Sequence, residues 1–224
     1  MLIITSRIPS VNFSIKKGLA RLVQGYIYNQ LSPAEHVGYK HSNGKVFKRV
    51  NFDFNLVNNQ IKIRFSSCEP KLEETLAMAI LKDGLVLGEI HLVDTHIEFI
   101  HNLTSKNHVV ISGFVACAIT SLLGYKIYLE PQDSRHLEMM KLNALQRYET
   151  LMQKPYDGEF ELSLKWQNLN RPREFYYKGD IPLKAWLAKW EIKAKADLIN
   201  LLLSAGVGSG CMNYGCGFLE IEQE

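Results

Sequence analysis

The sequence contains no C-x-x-C pair. Its four cysteines, Cys68, Cys117, Cys211 and Cys216, match neither a zinc-binding pattern nor a disulfide framework, so reduced thiols are expected. No apolar run is long enough to cross a bilayer. The most hydrophobic window, Val109 to Leu123, falls short of the roughly 18 residues required and is interrupted by Ser112, Gly113, Thr120 and Ser121. The opening residues, Met1 to Arg7, hold too short an apolar stretch for a signal peptide. No G-K-[ST] closes a P-loop, and the one glycine-dense stretch lacks the order G-x-G-x-x-G. His91, His96, His101 and His108 are scattered without a zinc spacing. Charge of one sign is also scarce: the net charge of +3 permits an anionic partner without demanding one. These absences predict a soluble, cytoplasmic chain with no membrane partner, no metal and no cofactor. What is present, 46% apolar residues, suffices for a sizeable core.

The most distinctive stretch lies near the end, where Gly206, Gly208, Gly210, Gly215 and Gly217 fall within twelve residues. Leu198, Leu201, Leu202 and Ala205 recur at helical spacing before it, so Gly206 reads as a helix stop. Phe218 to Ile221 reads as a closing strand. A dinucleotide fingerprint instead follows a strand and opens a helix. A wide glycine loop with free N–H groups suits phosphates. A long turn joining the last helix to the last strand accounts for the same glycines.

Taken in order, Leu2 to Ile8 is a strand, and Ile15, Leu19, Leu22, Val23, Ile27 and Leu31 mark an amphipathic helix over about 14–31. Ser32-Pro33-Ala34-Glu35 has the form of a capping box with Pro at the first helical position. Val46 to Phe54 and Ile61 to Phe65 alternate as a hairpin around Asn58-Asn59, Pro70 opens a second helix, Leu85 to Val93 reads as the fourth strand, and Ile97 to Ile100 as an extension of the sheet. The order is β-α-β-β-α-β. After a polar seam near Asn102 to Lys106 it recurs: a strand over Val109 to Cys117, a helix capped at Asp133 or Ser134, a strand from Phe160 to Trp166, an alternating strand through Trp186 and Trp190, then the last helix and strand. The prediction is an α+β protein of two tandem ferredoxin-like, RRM-like βαββαβ domains, residues 1–103 and 104–224.

Several motifs now come together. Gln24-Gly25-Tyr26-Ile27-Tyr28-Asn29, His36-Val37-Gly38-Tyr39-Lys40, Gly44-Lys45-Val46-Phe47-Lys48 and the terminal Gly215-Cys216-Gly217-Phe218 stand in an order that resembles the CRISPR-repeat endoribonucleases of the RAMP superfamily. The resemblance covers nearly the whole chain. It implies a metal-independent enzyme that cuts precursor CRISPR RNA within the repeat, leaving a 2′,3′-cyclic phosphate and a 5′-OH. It places the catalytic residues on Tyr28, His36 and Lys45, with His41 competing for the histidine and Lys40 and Lys48 for the lysine. The residue types suit that chemistry. Histidine titrates near neutrality, an ammonium stabilises charge on phosphate oxygens, and a phenol donates a hydrogen bond.

For RNA binding the resemblance points to the loop glycines Gly206, Gly208, Gly210, Gly215 and Gly217. The basic and aromatic loop Asn168 to Gly179 adds Arg171, Arg173, Tyr176, Tyr177 and Lys178, and Lys184, Lys189 and Lys193 extend a charged strip beside it. An ordinary solvated face has the same composition. The expected partner is CRISPR repeat RNA, for a monomer or homodimer. The alternative is a non-catalytic RNA-binding subunit held among other subunits of a CRISPR interference complex. A third reading is a ferredoxin-like protein that binds a small ligand.

Overall fold

The computed structural model describes residues 1–9, 18–176, 182–209 and 214–222. Ile15, Tyr177, Lys178, Gly179, Gly210, Cys211, Met212 and Asn213 lie outside the described residues.

The first half runs β1 (Leu2–Arg7), α1 (Leu19–Gln30), α2 (Pro33–Val37), β2 (Tyr39–Lys40), β3 (Val46–Phe47), β4 (Val50–Val57), β5 (Gln60–Ser67), α3 (Pro70–Asp83), β6 (Val86–Leu87), β7 (Ile90–His91) and β8 (Val93–Phe99). Four of these strands form an antiparallel sheet in the order β4-β5-β1-β8. The second half runs β9 (His108–Val115), β10 (Cys117–Thr120), β11 (Lys126–Leu129), α4 (Ser134–Met152), β12 (Glu161–Phe175), β13 (Leu183–Lys193), α5 (Ala196–Ala205) and β14 (Leu219–Ile221). Its sheet has the order β12-β13-β9-β14. With the four sheet strands of each half numbered 1 to 4, both orders are 2-3-1-4, the ferredoxin-like arrangement, so the chain is a tandem of two such folds.

Sheet and helices share one apolar face in each half. In the first, Val23 and Ile27 of α1 and Leu76 and Ile80 of α3 are buried against Leu2, Ile4, Phe52, Ile63 and Phe65. In the second, Met140, Ala144 and Tyr148 of α4 and the leucines of α5 close over Ile111, Trp190 and Ile192. The period of 3.6 in the helices and of 2 in the strands places these residues on matching faces.

Four local expectations are corrected. Val46 to Phe54 is not one strand: β3 pairs with β2 in a separate two-stranded sheet, and only β4 joins the main one. Leu85 to Val93 is not the fourth sheet strand. It folds into the small β6-β7 hairpin about Gly88 (φ +66°), with Leu92 N–H donating to Leu85 C=O, and β8 takes the sheet edge beside β1. The run from Asn168 is not a plain loop, because β12 continues to Phe175 across a register shift between Asn168 and Arg173. The capping box at Ser32 does not form. Helix α2 starts at Pro33 as expected, but Ser32 makes no side-chain cap and Glu35 turns inward to Arg49 and Tyr39.

The halves are joined by polar contacts as well as packing. Ser66 Oγ donates to Ser204 C=O at 2.9 Å. Arg64 pairs with Asp53 on its own sheet and Glu220 on the other, and lies over the Phe218 ring.

Candidate active site

The local sequence explains how the site is built. Arg21, Gln24, Gly25 and Tyr28 follow one another at helical spacing on α1 and present one face. After Leu31 the chain turns into α2, whose single turn carries His36. Gly38 then takes φ +80°, where an added Cβ would meet the Phe47 carbonyl at 2.7 Å, so only glycine lets α2 close down on the segment after β3. That segment brings in Lys48. The result is a hollow of about 400 Å³ lined by Arg21, Gln24, Tyr28, His36 and Lys48, with Tyr214 arriving from the last loop of the second half. Among the described residues no carboxylate lines it.

Tyr28 and His36 face each other with ring centroids 5.6 Å apart. Tyr28 is buried, His36 exposed. Burial raises the Tyr28 phenol well above its ordinary pKa, the Glu35 charge adds to this, and Arg147 opposes it. Tyr28 therefore stays protonated at neutral pH and acts as an O–H donor, not as a phenolate. Lys48 Nζ sits 5.3 Å from the Tyr28 ring centroid, donates to Glu35 C=O at 3.1 Å, and also donates to His36 C=O. Two of its three N–H bonds thus hold the end of α2. Burial lowers the Lys48 pKa, and Glu35 partly offsets this.

Lys45, the lysine expected from sequence, and the competing His41 and Lys40 lie outside this hollow. His41 accepts from Asn43 N–H at Nδ1 and meets Glu149 through Nε2 at 3.3 Å, so both ring nitrogens are engaged by this chain. Lys45 is exposed and donates to Gln146 Oε1 at 3.0 Å. It lines a neighbouring hollow and is not part of the one that holds Tyr28 and His36. Lys40 is exposed on β2. Arg21, Gln24 and Tyr214 were not expected as site residues from sequence. The first two were recoverable from their helical phase with Tyr28; Tyr214 carried no such signal.

The expected RNA-binding residues divide. Gly206, Gly208, Gly215 and Gly217 are all buried. The N–H groups of Gly206, Val207, Ser209 and Gly217 are not free but donate to Leu202, Gly217, Ala116 and Phe114 carbonyls. The described part of the loop is thus an anchored path, not an open cradle, because buried backbone donors must find acceptors. Gly208 shows this most clearly: φ is +109°, and a Cβ there would stand 2.8 Å from Ala116 O. Gly208→Ala is expected to destabilise the fold by about 1–3 kcal/mol, read as a shifted urea midpoint, and an unchanged midpoint would show that this contact does not set the path.

Arg173 is turned inward, its guanidinium between the Phe54 and Phe114 rings at 5.3 and 5.4 Å and donating to Phe54 C=O. Lys189 pairs with Glu222 at 2.7 Å and Lys193 with Glu161 at 3.0 Å. Arg171 is exposed.

Fold and site together define the class, a double ferredoxin-like α+β protein with a polar hollow on its first half. The family described as CRISPR associated protein Cas6, C-terminal, matches residues 109–221, half of the chain, and this chain belongs to that family. Solved structures are similar over nearly the whole length. A RAMP protein described as binding different RNA substrates superposes with a TM-score of 0.71 at 12% identity, covering 99% of both chains. A CRISPR-associated protein Cas6 gives 0.68 at 20%, again over 99% of both. The CRISPR endoribonuclease Cse3 bound to a 19-nucleotide RNA gives 0.54 at 11%, covering 99% of this chain and 98% of that one. No curated protein matches in sequence. Among the described residues no helix is long and apolar enough to cross a membrane.

Proposed function

We propose that this protein is a metal-independent endoribonuclease that cleaves CRISPR precursor RNA within the repeat, with residues 1–103 carrying the catalytic groups and 104–224 forming the second ferredoxin-like domain. The observation that carries the reading is the carboxylate-free hollow in which Tyr28, His36 and Lys48 converge. In the reaction the ribose 2′-OH gives up its proton and O2′ bonds to phosphorus. The P–O5′ bond breaks and the 5′ oxygen takes a proton, leaving a 2′,3′-cyclic phosphate and a 5′-OH. His36 moves a proton, Lys48 stabilises the charge that grows on the non-bridging oxygens, and the Tyr28 phenol donates a hydrogen bond to an oxygen of the link. Family membership and the RNA-bound neighbours support the substrate class. Among the three lysines in contention, Lys48 takes the role because it alone shares the hollow with both other groups.

Labelled repeat RNA from the same genome, incubated in excess chelator, is expected to give one cut with a cyclic phosphate end. Tight, salt-dependent binding without product would favour the non-catalytic subunit instead.

The lowered pKa of Lys48 adds a pH prediction. The ammonium is the useful form, and it is lost at a lower pH than for an ordinary lysine. Cleavage is therefore expected to fall on the alkaline side earlier than an unperturbed lysine would dictate, and Lys48→Arg to push that limb upward. A limb that stays in place in the arginine variant would remove Lys48 from the role.

A further inference from the structure

A second hollow adjoins the catalytic one and shares Lys48 and Tyr214 with it. Its volume is about 310 Å³, at the small end of the roughly 300–1,000 Å³ typical of ligand sites. Among the described residues no carboxylate lines it, whereas Lys45, Lys48 and Arg147 all do. Arg147 projects from α4 and is buried; its guanidinium donates to Ala205 C=O at 2.7 Å and to Lys48 C=O at 3.3 Å. Its charge is thereby fixed at the junction of the catalytic segment and the start of the glycine loop. One turn earlier on α4 stands Asn143. It is only 7% exposed, lines the hollow, and its Oδ1 makes no hydrogen bond among the described residues.

A buried carboxamide oxygen without a partner is costly, and such a group in a native fold calls for an explanation. Packing alone does not supply one, because an apolar side chain of similar size would fill the same place. The terminal torsion of asparagine is broad and roughly two-fold, so either polar end can turn to a ligand. A carboxamide matches a nucleobase edge well, its oxygen accepting from an amino group while its N–H donates to a ring nitrogen, and adenine is the base it pairs with bidentately. The three cations suit the phosphate of the same nucleotide, and Tyr214 offers aromatic surface of the kind on which unpaired bases stack.

We propose that this hollow is a nucleotide subsite: it takes the residue of the RNA next to the scissile link, phosphate toward Lys45 and adenine base against Asn143. The inference rests on the endoribonuclease reading, since it places the scissile link in the adjoining hollow. It adds to that reading a residue that determines sequence preference.

The test uses repeat RNA with a 2′-deoxy sugar at the cut nucleotide, so that binding is measured without cleavage. Each of the two nucleotides flanking the link is made adenine, guanine, cytosine, uracil or abasic in turn. At one of them adenine is expected to bind the wild-type chain at least about tenfold more tightly than the other four. Asn143→Leu is expected to flatten that preference while leaving the weaker affinity in place. A flat profile in the wild type, a preference for another base, or a preference that survives Asn143→Leu would each overturn the subsite. The wild-type series answers even if the variant does not fold. Failure of every repeat RNA to bind would overturn the endoribonuclease reading itself, and the subsite with it, whereas binding with a flat profile removes the subsite alone.

Discussion

His36→Ala is expected to slow single-turnover cleavage of repeat RNA by roughly 10²–10⁴-fold, the usual range for losing a general acid or base. Binding of the RNA and the stability of the fold are expected to change little. The imidazole is exposed on the single turn of α2, and Lys48 holds that turn through the main-chain carbonyls of Glu35 and His36, which alanine retains. His41→Ala is the control. Its ring is tied to Glu149 and to Asn43 N–H and lines no part of the Tyr28 hollow, so cutting should stay within a few-fold of wild type. Equal cutting by wild type and His36→Ala would exclude imidazole chemistry at this position, and a large loss in His41→Ala would move the role there.

The second large effect concerns stability. Glu35 is fully buried, and its carboxylate is held by Arg49 and by Tyr39 Oη, the latter at 2.9 Å. Arg49→Leu leaves that charge in the interior with the tyrosine hydroxyl as its remaining side-chain donor. Breaking a buried pair from one side typically removes 3–5 kcal/mol. Because the Arg49 side chain is itself partly exposed, about 3 kcal/mol is expected here, measured as the change in unfolding free energy in urea. The double variant Glu35→Leu with Arg49→Leu is expected to recover most of the loss, since two apolar groups of similar volume replace the pair without stranding a charge. If Arg49→Leu unfolds at the wild-type midpoint, the pair is not what holds α2 in place. The link to function is direct. Glu35 precedes His36, and its carbonyl is one of the two that Lys48 grips, so loosening α2 also loosens the cluster.

Much of the architecture was legible in the chain. Alternation over Ile61 to Phe65, the helical phase of Leu72, Leu76 and Ile80, and the strand pattern through Trp186 and Trp190 all lie where the sheets and helices form. Asp133 caps α4, accepting from Arg135 N–H as its residue type suggests. Leu85 to Val93 was misplaced because Leu85, Leu87 and Leu92 are buried as a strand's would be, while the turn at Gly88 is a backbone choice that apolar periodicity does not encode. Arg173 read as a surface cation, but a planar guanidinium also stacks well between aromatic rings, and only the approach of Phe54 and Phe114 from two different sheets shows that it does so.

The candidate site divides along the same line. Sequence alone determined the doubled ferredoxin-like order, though not which run closes the first sheet, and the presence of Tyr28, a histidine and a lysine within one short stretch, because periodicity and local chemistry are properties of neighbours along the chain. The tertiary structure decided which histidine and which lysine share the hollow with Tyr28, and it brought Tyr214, Asn143 and Arg147 to them from the far half. That choice depends on side-chain direction across a domain junction, where one residue's shift turns a group from the cleft to the solvent, and no spacing along the chain records it.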